Sequence, residues 1–137
     1  MRRVRLLLED VLLVLWFGSL WTVGLLVAPL LFQLLPRALA ATVAGQLFQY
    51  SHWIGIFSSL LLMGLFWRQQ QRRLISVIGV LLLLALLNLL WVMPQVALLR
   101  GTADHTRFVV WHSISSVIYL LECLGAVWVL WLRHIRS

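Results

Sequence analysis

Four uninterrupted apolar runs limit what this chain can fold into: Val11 to Phe32, Leu47 to Trp67, Leu74 to Leu99 and Phe108 to Leu132. Crossing the hydrocarbon core of a bilayer takes about 20 helical residues, and each run reaches that length. Within lipid only helices or closed barrels satisfy every backbone group. These runs are Leu-rich and continuous, without the alternation of a barrel strand. The sequence therefore predicts an all-α protein, an integral-membrane antiparallel four-helix bundle forming one domain over residues 1–137. The second helix is entered by a turn from Ala40.

Composition closes off the alternatives. Only 11% of the 137 residues are charged and 63% are hydrophobic. A soluble domain carries roughly a quarter charged residues, so this chain cannot cover a water-facing surface. That excludes an ordinary soluble enzyme, a disordered tail and a secreted disulfide scaffold. Cys123 is the single cysteine and cannot form an internal disulfide. The net charge of +7 comes from arginines in short clusters between the apolar runs. That is the pattern of membrane-protein loops, not of a nucleic-acid groove, so no nucleic-acid partner is expected.

Arginine placement orients the helices. One side carries Arg2, Arg3, Arg5, Arg68, Arg72, Arg73, Arg133 and Arg136; the other carries Arg37, Arg100 and Arg107. The imbalance predicts a multi-pass protein of the bacterial inner (plasma) membrane with both termini in the cytoplasm. Arg2, Arg3 and Arg5 before an apolar stretch also suggest a signal peptide. Its apolar region would span about 7 to 15 residues, and the first run here is longer, so a retained helix is expected. The partners this implies are the lipid bilayer and a second copy of the chain or a larger membrane complex.

The chain reads as two tandem copies of one helical hairpin. Ala28-Pro29 followed by Arg37 resembles Met93-Pro94 followed by Arg100, and Phe48-x-x-x-His52 aligns with Phe108-x-x-x-His112 at an offset of 60. On that alignment His52 and His112 lie at equal depth near the outer end of helices two and four. An imidazole pair suits haem iron or copper, so His52 and His112 are the candidate cofactor-binding or metal-binding residues. A tetrahedral zinc site lacks further ligands.

Polar residues inside a span are functional candidates by default. Helix four carries His112, Ser115, Tyr119 and Glu122 at steps of three and four, which is one helical face. Helix two places His52, Gly55, Ser59 and Met63 on a comparable face, and helix three contributes Asn88 and Gln95. Gly18 and Thr22 mark the inward face of helix one. Glu122, with Tyr119, Asn88 and Ser115, reads as a proton relay or as a packing hydrogen bond of roughly 0.6 kcal/mol. Pro29 and Pro94 should bend helices one and three. Gly18, Gly55, Gly64 and Gly125 should permit close helix contact. No phosphate-binding loop, nucleophile motif or metalloprotease signature is present, so no catalytic residue is assigned.

Trp16-Phe17-Gly18, Val27-Ala28-Pro29-Leu30-Leu31-Phe32, Leu47-Phe48 and Trp111-His112-Ser113 resemble the bacterial domain-of-unknown-function 4149 family, which is similar to the eukaryotic transmembrane protein 205-like domain. The resemblance spans about residues 10 to 132 and implies a four-helix membrane domain. The bacterial family has no assigned activity. The eukaryotic relative's association with platinum resistance implies soft-metal handling or export. The Trp-x-Gly…Pro pattern of helix one is also faintly similar to four-helix protoporphyrinogen oxidases and copper-resistance protein D, but no His stands in helix one here. The leading functional expectation is a paired-histidine site binding haem b, with copper as the weaker candidate, in a redox or metal-handling role. The alternatives are a transporter or export accessory with an intramembrane polar path, and a structural or assembly subunit.

Overall fold

The computed structural model describes residues 1–136. The side chain of Arg136, one of the arginines used above for orientation, lies outside the described residues. The described chain is all-α. Its four helices are α1 (Arg2–Leu34), α2 (Arg37–Arg68), α3 (Arg72–Leu99) and α4 (His105–Arg136), all long and apolar enough to cross a membrane. This bears out the helical class and the number of spans.

Every helix outruns its apolar core. At 32 residues each, α2 and α4 are about 48 Å long, against a hydrocarbon thickness of about 30 Å. Local sequence explains the excess. Ala38, Ala40, Ala41 and Ala44 give the start of α2 high helix propensity without much hydropathy. Pro36 holds Leu35 extended (φ −116°, ψ 155°) and so separates α1 from α2. Asp104 opens α4, accepting the Arg107 backbone N–H at 3.2 Å.

The chain divides into two compact units, Met1–Arg72 and Arg73–Ser137. In the first unit α1 and α2 form an antiparallel hairpin. Its buried seam runs through Glu9, Leu13, Trp16 and Leu20 on α1 and His52, Ile56, Ser59 and Leu62 on α2. The second unit repeats it with Leu74, Ile78, Leu81 and Ala85 on α3 and Glu122, Ala126, Val129 and Leu132 on α4. The spacing is 65 residues for the first helix of each hairpin and 70 for the second.

The repeat is therefore real, but its register differs from the sequence alignment. Trp16 rests on Gly55, and Leu81 rests on Gly125; Trp16 stands thirteen residues before Pro29, and Leu81 thirteen before Pro94. Helix packing, not the local Phe-x-x-x-His match, sets the correspondence. His52 is thus equivalent to Glu122, and His112 falls ten residues, about 15 Å, before that position.

Pro29 and Pro94 each act through a π-helical turn. Pro29 has no N–H and crowds the carbonyl four residues back. The backbone opens by one residue over Val23–Val27, and the Ala28 N–H reaches the Val23 carbonyl. The same happens over Asn88–Val92 ahead of Pro94, where the Met93 N–H reaches the Asn88 carbonyl. Of the four glycines expected at close contacts, Gly55 and Gly125 hold that role. Gly18 and Gly64 face open space, and a methyl added at either would meet nothing within 4 Å. Gly18 and Thr22 are both exposed, so α1 turns its Glu9–Trp16 face inward instead.

Candidate functional site

The first hairpin buries a chain of polar side chains. Ser19 Oγ donates to the Trp16 carbonyl at 2.8 Å. Its single proton is then committed, so Ser51 Oγ is the donor in the 3.2 Å contact with Ser19 across the seam. Next to Ser51, His52 is 2% exposed. Its Nδ1 lies 2.7 Å from the Phe48 carbonyl one turn back, which fixes the ring. Two turns further along, Ser59 donates to the Ile56 carbonyl at 2.9 Å. Helical spacing of three and four puts His52 and Ser59 on the same seam.

The hairpin also holds a buried carboxylate that the sequence reading missed. Glu9 is 2% exposed. Gln69, just past the end of α2, donates from Nε2 to Glu9 Oε1 at 2.7 Å. Arg5 Nε stands 3.7 Å from the same oxygen, one helical turn away. The Arg5-x-x-x-Glu9 spacing puts the two charges on one helix face, which by itself does not signal burial.

The second hairpin has fewer polar groups and a different arrangement. Asn88 is buried at the start of the π-helical turn, and its Oδ1 accepts a 2.8 Å hydrogen bond from Ser115 Oγ on α4. These two predicted site residues are brought together. Glu122, 3% exposed, lies seven residues deeper than Ser115, about 10 Å along the axis. Tyr119 is half-buried one turn before it. Cys123 is buried beside Glu122.

His112 is placed unlike His52. It is exposed, and its ring stacks on Phe108 at 5.7 Å and 10°, while Phe108 stacks on His105 at 6.3 Å. Among the described residues no group of three or more His, Cys, Asp or Glu could hold a metal ion. An open apolar groove on the first hairpin, about 580 Å³, lies between Leu12 and Leu15 of α1 and Trp53, Phe57 and Ser58 of α2. Its lining is apolar and excludes His52, so it belongs to the outer surface and not to the polar seam.

Each hairpin buries a protonatable side chain at the same seam position, His52 beside Ser51 in the first and Glu122 one turn past Tyr119 in the second, with the Ser115–Asn88 pair about 10 Å away.

A family model described as Domain of unknown function (DUF4149) matches residues 11–105. No curated protein and no solved structure matches the chain.

Proposed function

The chain belongs to the DUF4149 family, and from that premise we propose that it is a proton-handling membrane transport component, working through His52 in the first hairpin and Glu122 in the second. One observation carries the reading. Both residues are buried, and both stand three positions before the glycine on which the partner helix rests. Ionisable side chains within spans are costly and cluster where ions or protons move. Imidazole and carboxyl are also the side chains that most often transfer protons. The hydroxyls of Ser19 and Ser51 close the first seam beside His52, and the Ser115–Asn88 bond closes the second about 10 Å from Glu122. Four spans are few for a carrier, so the working unit in this reading is a homodimer or a larger membrane complex. The arginine imbalance supports a bacterial inner-membrane setting with cytoplasmic termini.

Vesicles containing the full-length protein should dissipate an imposed pH gradient faster than protein-free vesicles. His52→Ala should return the rate to the protein-free value. Equal rates with and without wild-type protein would overturn the proposal.

A second reading, haem b or copper held through His52, is favoured by the Nδ1 contact to the Phe48 carbonyl. A carbonyl in that place commonly orients a metal-ligating imidazole. In this reading the purified protein shows a Soret band that sharpens on reduction, or stoichiometric copper, and His52→Ala abolishes either signal. A colourless, metal-free protein from haem-replete cells would discard it.

A further inference from the structure

We propose that the loop end of the first hairpin binds the headgroup phosphate of an anionic phospholipid, with Arg5 and Arg68 as its principal contacts. Arg2, Arg3 and Arg5 lie on the first turns of α1, Arg68 closes α2, and Arg72 follows the connecting turn. Against these cations stand the carboxylates of Glu9 and Asp10, so the end carries an excess of positive charge.

The two basic segments are fastened together. Glu9 holds Gln69 at 2.7 Å, and Gln69 is the residue after Arg68. The turn itself is tight. The Gln69 and Gln71 N–H groups both reach the Phe66 carbonyl, and Gln70 takes a left-handed φ of 55°. Arg68 therefore leaves α2 beside the start of α1, not on a long tether.

Glu9 also positions Arg5. The Arg5 Nε is buried toward the carboxylate at 3.7 Å, too far for a hydrogen bond. The side chain is nevertheless 41% exposed, so that exposure falls on its other atoms. A guanidinium held in this way offers its outer N–H groups to an acceptor. Phosphate is the acceptor that matches, because it takes paired N–H donors and neutralises the excess charge.

The depth selects lipid over a dissolved anion. Leu6, Leu7 and Leu8 on α1 are exposed beside the arginines, and Trp67 is exposed just before Arg68. Exposed leucines are at home in hydrocarbon, and indoles collect at the headgroup level. The cations thus sit where lipid phosphates lie, and basic sites at that level are known binders of anionic headgroups.

The test uses full-length protein in nanodiscs of phosphatidylcholine, with phosphatidylglycerol titrated in. Thermal midpoint and lipid retention by native mass spectrometry are read together. Phosphatidylglycerol should raise the wild-type midpoint and be retained in preference to phosphatidylcholine. Arg5→Gln and Arg68→Gln should each weaken that response about tenfold, the loss of one charge-assisted contact. Arg37→Gln, at the opposite end of the hairpin, should respond as wild type does. Glu9→Gln keeps an acceptor for Gln69 but no longer draws Arg5 inward. Its phosphatidylglycerol-dependent rise, measured from its own midpoint in pure phosphatidylcholine, should be smaller than that of wild type, which a purely structural role would not do. An undiminished response in Arg5→Gln and Arg68→Gln would overturn the proposal. So would an equal fall in Arg37→Gln, which would mark nonspecific charge, or the same rise from inorganic phosphate alone. Should a variant not fold, equal retention of the two lipids by the wild-type protein would overturn it as well.

Discussion

Gly55→Val should destabilise the first hairpin by about 2–3 kcal/mol, the upper part of the range for overpacking a well-filled contact. A Cβ at Gly55 would stand 2.5 Å from Trp16 Nε1 and 2.8 Å from Cδ1. The indole has little room to yield. It is buried, and its ring packs on Phe17 at 4.8 Å. The helices would have to separate, and in lipid that is costly in a particular way. No hydrophobic drive holds two apolar helices together in hydrocarbon, so close packing and hydrogen bonds do that work. Separation at Gly55 would also lengthen the Ser19–Ser51 bond one turn away. The equivalent contact in the second hairpin should be more forgiving. A methyl at Gly125 meets Leu81, whose branched end can rotate where an indole cannot. Unfolding of Gly55→Val, Gly125→Ala and wild type in detergent orders the three directly. A Gly55→Val midpoint equal to wild type would mean that Trp16 and Gly55 do not set the hairpin spacing.

Glu122→Gln separates the two roles a buried carboxyl can have. The amide has nearly the same shape and keeps an acceptor oxygen, but it cannot take up or release a proton. If Glu122 only packs, the variant should lose no more than about the 0.6 kcal/mol typical of an intramembrane hydrogen bond, and vesicle proton flux should be unaffected. If Glu122 exchanges protons, stability should be nearly unchanged while flux falls roughly a hundredfold, the lower range for removal of a general acid–base group. The second pattern is the expected one, because Glu122 occupies in its hairpin the place of His52. Flux equal to wild type in a stably folded variant would leave the carboxyl a packing role.

The four spans were legible because a bilayer imposes length and continuity on sequence directly. The helix ends were less so. The first turns of α2 owe their form to alanine propensity and a preceding proline, signals that hydropathy does not register. Of the polar face expected on α4, Glu122 is buried and Ser115 meets Asn88, but His112 at its start is exposed. The register of the repeat was not readable, because a short Phe-x-x-x-His match carries no information about which residues touch across a seam. That information lies in Trp16 against Gly55, a contact between residues far apart in sequence. Glu9 escaped notice for a related reason. Among Arg2, Arg3, Arg5 and Asp10 it looks like part of a solvated segment, yet in the fold it is buried and accepts from Gln69 at the end of α2.

The division of the chain near Arg72 also sets a timetable. The Glu9–Gln69, Ser19–Ser51 and Trp16–Gly55 contacts all close within Met1–Arg72. A ribosome adding about 5–20 residues per second needs several further seconds to deliver residues 73–137. The first hairpin can therefore settle in the bilayer while the second is still being made. Its buried carboxylate and serines find their partners without waiting for later sequence, and Asn88 and Ser115 do the same in their turn. During biogenesis these particular contacts can close one hairpin at a time.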